Sequence, residues 1–466
     1  MLTAAMTHQA ACVNKLLPLK VGALFMEMGT GKTRCFLDLG LRRLRAGKAS
    51  RLSILAPVSG MQHLANEVEK HTGEAAAVHD GCYAASAKRI NIIGIESMSS
   101  SISALNKLDE LVKDSVLVVD ESHMIKNSDA KRSERILRAS IAARYRYVST
   151  GIPMPRGIED LWLPMLLLSP LVLGYSSYSE FRRMHIEHAG DAFGQIGQGR
   201  IIGRHNVDAI AAKIAPYTFE ARKADCLDLP SKTYSFRTVE IGDEAQAAYQ
   251  DAKRRILMGR NAFEVDDATV FRLFTALQQI SSGVRPDWLF EPGEYMGLAS
   301  TKANELRVTL ESLTGKAVVW CKYLSEACAA EGASRQAGKS FQRIDGRVPV
   351  AERNKRIQRW REDSDLLIST IQTGAMVNDW GFADYSIYMS NCFDYMLRMQ
   401  SEDRTHRAMM TGKGHYIDLR ANTGIERRIA RSLHHKGDAL KAFQDKLRQL
   451  RIRRDADGIN KELETL

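Results

Sequence analysis

At 466 residues the chain is too long for one ordinary core and suits two lobes of ~150–200 residues with appendages. Hydrophobic residues at 44% and charged residues at 26% are the profile of a soluble globular protein and exclude long disordered tracts; no apolar run reaches the ~18 residues that span a bilayer, and the first residues lack the pattern of a signal peptide. A formal net charge of +11 admits a polyanionic partner without requiring one, and seven scattered Cys with no Cys-x-x-Cys pair suit neither a disulfide framework nor a zinc site, so a reducing compartment is expected.

In chain order, short β-rich runs at Ala23–Met26, Leu52–Ala56, Ile90–Ile95, Val116–Val119 and Tyr145–Ser149 alternate with helical stretches. This alternation predicts a parallel sheet wrapped by helices, with ligand-bearing loops at the strand C-termini. From Leu163 to Pro230 the chain is richer in Ser, Gly, Tyr and Arg and reads as helices and connections rather than a sheet. The α/β texture returns at Ala317–Trp320, Ser340–Arg343, Leu366–Ser369, Ser386–Met389 and His415–Asp418. The expected organisation is an N-terminal lobe over 1–228 with a helical insertion at about 163–228, a second α/β lobe over 229–424, and a basic helical tail over 425–466. Between Arg427 and Arg454 ten Lys/Arg stand against two Asp, and Leu440, Phe443, Leu447 and Leu450 share one helical face. That stripe either packs on the second lobe or docks a protein partner, and the basic side either faces water or contacts phosphates.

Chemistry is concentrated after the first and fourth of these strands. Phe25-Met26-Glu27-Met28-Gly29-Thr30-Gly31-Lys32-Thr33 leaves a predicted strand and enters a helix near Arg34. Gly29 and Gly31 allow a turn whose amides, from Met28 to Arg34, face phosphate oxygens at a helix N-terminus. Lys32 would reach the β- and γ-phosphates and the Thr33 hydroxyl would ligate Mg²⁺. Met26 stands where the strict pattern has its first Gly, and Gly-Lys-Thr alone is also an ordinary turn before a helix. A second element, Ser115-Val116-Leu117-Val118-Val119-Asp120-Glu121-Ser122-His123, ends a buried strand in two acids, which is costly without a cation or hydrogen bonds. Asp120 would hold Mg²⁺ and Glu121 would orient and deprotonate water; the alternative is that both acids cap a helix.

Taken with Lys126-Asn127 and Thr150-Gly151-Ile152-Pro153, these segments resemble motifs I, II and III of helicase superfamily II, in the order and spacing of its Swi/Snf branch. His8-Gln9 resembles the adenine-reading Gln motif, a task suited to an amide that both donates and accepts. Ile54-Leu55-Ala56-Pro57 with Glu67, and Ile95-Glu96-Ser97-Met98, are similar to motif Ia and the strand-end motif after it. Pro216 to Lys223, leading to Leu229-Pro230-Ser231-Lys232, is similar to the hinge into the second lobe. There, Val318-Val319-Trp320 with Lys322 resembles motif IV. Arg343-Ile344-Asp345-Gly346-Arg347, with Glu352-Arg353 and Arg359-Trp360, resembles the RIDG segment. Ser369-Thr370 opens a motif V that keeps Gly374 and Asn378 but carries Ile371-Gln372-Thr373 and Met376 in place of a more glycine-rich loop. Gln400 to Arg407 resembles motif VI, with Arg404 and Arg407 three apart and therefore on one helical face; a surface Asp–Arg pair is the plainer reading of that string alone. Ser122 for Ala and Ile152 for Thr are further departures.

The resemblance implies two tandem RecA-like lobes, ATP and Mg²⁺ as cofactors, and ATP-driven movement along double-stranded DNA. It implies that ATP sits between the lobes, with Gln9 and the phosphate loop on one side and Arg404 and Arg407 on the other, where an arginine is worth ~10³–10⁵ in rate in related chemistry. His123, Thr150, Gly151, Gly374 and Gln400 would couple hydrolysis to movement. Pro57, Glu96, Lys322, Arg347, Ser369 and Thr370 would contact nucleic acid, mostly its backbone and hence with little sequence preference. A strand-separating DNA or RNA helicase of the same superfamily, a non-hydrolysing scaffold and a phosphate-loop small-molecule kinase are the rivals; the last leaves the second lobe unexplained. The expected location is the cytoplasm, on the nucleoid or in a host if viral, or the nucleus if eukaryotic.

Overall fold

The computed structural model describes residues 1–79, 88–99, 102–127, 130–155, 157–188, 201–227, 231–374, 380–406, 414–435 and 439–466, and the chain divides into two compact units, Met1–Asp228 and Leu229–Leu466. The first holds β1 (Val21–Met26), β2 (Arg51–Ala56), β3 (Ala77–His79), β4 (Ile90–Gly94), β5 (Ser115–Asp120), β6 (Tyr145–Thr150), β7 (Ile186–His188), β8 (Ile201–Arg204) and β9 (Thr218–Ala221). Seven of them form one sheet in the order β3-β4-β2-β5-β6-β1-β9, with every neighbouring pair parallel. Strands buried on both faces have apolar residues at every position. Thus Ala23, Phe25, Leu55, Ile93, Leu117, Val119 and Val148 feed one core layer, while Leu24, Met26, Ile54, Ile92, Val116, Val118 and Tyr147 feed the other.

This strand order builds the site. β6 lies between β5 and β1, with Phe25 opposite Thr150 and Asp120 opposite Ser149. The loop after Met26, the acids ending β5 and the turn after Thr150 therefore leave the same edge of the sheet side by side, as the C-terminal ends of parallel strands do.

The stretch read as helices and connections does contain Trp162–Leu168, Pro170–Leu173, Tyr178–His185 and Val207–Ile214. It also contains strands, which corrects that reading: β7 pairs antiparallel with β8, and β9 extends the main sheet beside β1. Segments of three or four residues are too short for alternation to register, and β9 is a strand because Ala23–Met26 offers it a ladder.

The second unit contains β10 (Lys232–Val239), β11 (Ala317–Cys321), β12 (Phe341–Ile344), β13 (Leu366–Thr370), β14 (Tyr385–Tyr388) and β15 (Gly414–Ala421). They form a sheet in the order β10-β15-β14-β11-β13-β12, again parallel throughout. β10 is absent from the sequence reading because only Val239 in it is buried; its pairing with β15 over the whole length of both makes it a strand. Helices Asp243–Leu257 and Asp267–Ser281 share a core with Gly424–His434, Ala439–Ile452 and Ala456–Glu464. Phe443, Leu447 and Leu450 are buried there, Leu440 packs at its edge, and the rings of Phe274 and Phe443 lie 5.2 Å apart. The apolar stripe is thus spent within the unit, and a protein partner would need another surface. Among the described residues no helix is long and apolar enough to cross a membrane.

Candidate nucleotide-binding and catalytic site

The loop between β1 and the helix Lys32–Arg45 turns on two glycines, Gly29 and Gly31, both at φ +85°, a conformation that side chains with a Cβ resist. Gly31 is doubly required, because a Cβ there would run into the amide of Gln9. Thr30 is fully buried. Its amide and hydroxyl donate to the Glu27 carbonyl at 3.3 and 2.7 Å, and its own carbonyl meets Gln9 Nε2 at 3.1 Å and His8 Nε2 at 2.8 Å. Glu27 in turn donates its amide to the Ala221 carbonyl at 2.9 Å and accepts the Lys223 amide on Oε2 at 2.8 Å. The segment Ala221–Lys223 therefore props the start of the phosphate loop, as Gln9 props its middle.

Gln9 has Oε1 on the Met6 amide at 3.1 Å and one Nε2 hydrogen on the Thr30 carbonyl, so its amide braces the loop while keeping a donor and an acceptor position open. Met28 and Thr33 are partly buried and Gly29 is exposed. Lys32 is 9% exposed, and a Cβ on Gly151 would lie 3.3 Å from the Met28 amide nitrogen and 3.4 Å from Lys32 Nζ. A side chain at this turn would therefore have to push the loop back by a few tenths of an ångström. Arg34 points away from the loop: it donates to the Thr3 carbonyl at 2.8 Å and lies 3.8 Å from Asp38.

At the tip of β5, Asp120 Oδ1 is buried without a hydrogen-bond partner among the described residues. Burial, and then the charge of Glu121, push this carboxyl up to about 6, while Lys32 pulls the other way. Glu121 adopts φ 50° and ψ 50°, a left-handed conformation that costs a non-glycine residue and marks functional sites. Its Oε2 accepts the Thr150 hydroxyl at 3.3 Å and lies 3.3 Å from His123 Nδ1, which is 3.2 Å from the same hydroxyl. Thr150 Oγ1 also accepts the Ile152 amide at 3.1 Å. The structure thus brings Lys32, Asp120, Glu121, His123, Thr150 and Gly151 together, with one orphaned acid oxygen and one oriented carboxylate. Lys126 lies 3.6 Å from the fully buried Asp160. That geometry can hold a cation beside a phosphate and present a base to water.

A family model of the SNF2-related domain matches residues 8–284. The chain belongs to the SNF2-related family. Among curated relatives of this SNF2-related chain are chromodomain-helicase-DNA-binding protein 1-like of Danio rerio, 24% identical over 67% of this chain and 30% of the relative, and DNA annealing helicase and endonuclease ZRANB3 of Mus musculus, 22% identical over 77% and 33%. The chain spans about a third of the length of these two. "Uncharacterized ATP-dependent helicase YqhH" of Bacillus subtilis (strain 168) is 20% identical over 92% of this chain and 77% of its own. Among solved structures, the Sulfolobus solfataricus SWI2/SNF2 ATPase core in complex with dsDNA aligns over 99% of this chain and 97% of that one, with 18% identity and a TM-score of 0.43.

In the first unit Pro57 and Glu96 lie just beyond the ends of the neighbouring strands β2 and β4, and Glu96 Oε2 accepts the Val58 amide at 3.0 Å. In the second, Lys322 turns inward, with Nζ 2.5 Å from Gln278 Oε1 and 3.1 Å from the Phe393 ring centroid; burial pushes its ammonium down to about 8. Arg347 grips Asp345 at 3.0 Å while 62% of its side chain stays exposed. Ser369 and Thr370 are buried, and Thr370 donates to Thr373 Oγ1 at 2.9 Å. A Cβ on Gly374 would stand 2.5 Å from both Ser369 Oγ and Trp320. Gln400 and Arg404 are partly buried on the helix Tyr395–Thr405, and the Arg404 carbonyl accepts the Trp380 amide at 2.8 Å. Arg407, Met376 and Asn378 lie outside the described residues. Sequence reasoning missed Arg398 and Glu402 on the same helix; their spacing of four is a visible pairing signal, but their partners on β10 and β15 are not.

Proposed function

We propose that this chain is an ATP-dependent motor that couples hydrolysis to movement along double-stranded DNA. The single observation that carries the reading is the pair of acids at the tip of β5, Asp120 with a buried, unpartnered oxygen near Lys32 and Glu121 held by Thr150 and His123. A strand tip carrying a buried acid oxygen without a hydrogen-bond partner suits a cation, so Asp120 and the Thr33 hydroxyl would hold Mg²⁺. The metal, when bound, neutralises charge on the phosphate oxygens. Loop amides from Met28 to Arg34 and the N-terminus of the helix Lys32–Arg45 bind the phosphates, Lys32 draws the γ-phosphate, and Glu121 orients water and takes its proton. Gln9 serves adenine only through what its loop contacts leave free. Arg404 and Arg407 stabilise charge on the departing phosphoryl group.

The DNA reading is supported by family membership, by the net charge of +11 and by the exposed Arg347 guanidinium, a ready backbone contact. Pro57 and Glu96 are the other proposed contacts; Ser369 and Thr370, buried in this structure, and Lys322, turned to Gln278, join them only on a change of conformation. The reading implies a DNA-associated location, cytoplasmic on a nucleoid or in a viral host and nuclear in a eukaryote. The test is ATP turnover with blunt duplex DNA, single-stranded DNA or RNA: strong stimulation by the duplex is expected, and stimulation by RNA or single strands alone would refute duplex tracking.

A further inference from the structure

Glu402 is 3% exposed, and each of its oxygens is engaged. Oε2 accepts from Lys232 Nζ and from the Tyr234 hydroxyl, both at 2.8 Å, and Oε1 accepts from Arg398 Nε at 2.7 Å. Its carbonyl accepts the His406 amide at 2.9 Å, the Thr405 hydroxyl at 3.1 Å and the Tyr416 hydroxyl at 3.4 Å. Arg398, one turn earlier, is fixed by Asp418 at 2.6 Å and lies 3.5 Å from the Tyr388 ring centroid. The side chain of Glu402 thus grips β10, the strand by which the chain enters the second unit, while its backbone fastens the last turn of the helix that carries Arg404. β10 is otherwise held mainly by its ladder with β15, since it buries almost nothing of its own. Packing alone does not call for a buried carboxylate here, because apolar groups of similar volume do that with no desolvation cost.

We propose that Glu402 is a positioning residue that ties β10 to the Arg404 helix, so that displacement of the entering strand during the nucleotide cycle is passed to the guanidinium acting on the γ-phosphate. This rests on the ATPase reading above. The test compares Glu402→Gln and the double variant Lys232→Met/Tyr234→Phe with Phe443→Leu, a packing variant that touches none of the clamp's hydrogen bonds, as a control for lost stability.

Amide hydrogen exchange over residues 398–406 is expected to speed about tenfold in both clamp variants. Turnover at saturating ATP and duplex DNA is expected to fall about tenfold or more, with KM for ATP within about twofold. Phe443→Leu keeps its turnover despite its lower melting temperature. Unchanged exchange, or a fall in turnover that merely follows stability in all three proteins, overturns the proposal. Absence of Lys32-dependent ATP hydrolysis in the wild-type protein would instead sink the functional reading, and the exchange result alone would then decide whether the clamp exists.

Discussion

Two adjacent carboxylates meet opposite fates at the tip of β5. Asp120 keeps a buried oxygen without a donor, while Glu121 is turned by a left-handed backbone onto Thr150 and His123. Glu121→Gln is expected to cut ATP turnover by about 10²–10⁴-fold, the range for losing a general base, while a fluorescent ATP analogue still binds; turnover near the wild-type rate would remove Glu121 from the base role. Gly151→Ala pushes a methyl toward Lys32 and the Met28 amide. It should weaken ATP binding about fivefold for about 1 kcal/mol of overpacking, which a titration of the same analogue would measure. Asp345 supplies a pH signature. The Arg347 guanidinium, backed by its amide and by Arg343, holds this carboxyl down at about 2 from an ordinary 3.8. Its stabilisation is therefore full above pH ~4 and lost as pH falls toward 2, about 1–2 kcal/mol in all. Thermal melts of wild-type protein should fall more steeply over that window than those of Asp345→Asn; parallel curves would contradict the pairing.

Elements were legible in the sequence where the deciding information is local. Most buried strands of both units declare themselves as short, predominantly apolar runs, and the glycines of the phosphate loop and the acids of β5 sit in contiguous strings whose geometry follows from their own backbone. What escaped depends on partners far along the chain. β9 and β10 are strands because β1 and β15 pair with them. Gln9 is committed to Thr30, 21 residues away. Arg34 turns to Thr3, which nothing in a phosphate-loop string announces. The C-terminal helices show the same division, since the Leu440–Leu450 stripe is visible by its period while the Phe274 layer beneath it is not. Phe443 is fully buried there, so Phe443→Ala should cost about 3–5 kcal/mol. Arg453→Ala, at an exposed position, should change stability by less than about 0.5 kcal/mol; chemical denaturation of both variants would expose a helix that is only loosely attached.

At the scale of the whole molecule, the repeated α/β texture correctly implied two parallel sheets flanked by helices, and the colinear motifs pointed to the family. A motor that reads the DNA backbone should bind with strong salt dependence, losing about 10³-fold in affinity or more between 50 and 200 mM salt if six or more phosphates are contacted, with little change between duplexes of different sequence. The most direct test of the central claim is displacement of a third strand from a DNA triplex. ATP-dependent release of that strand is expected, with the underlying duplex left intact and the release abolished by Lys32→Ala. Failure to release it while ATP is being hydrolysed, or separation of the duplex strands themselves, would contradict movement along double-stranded DNA.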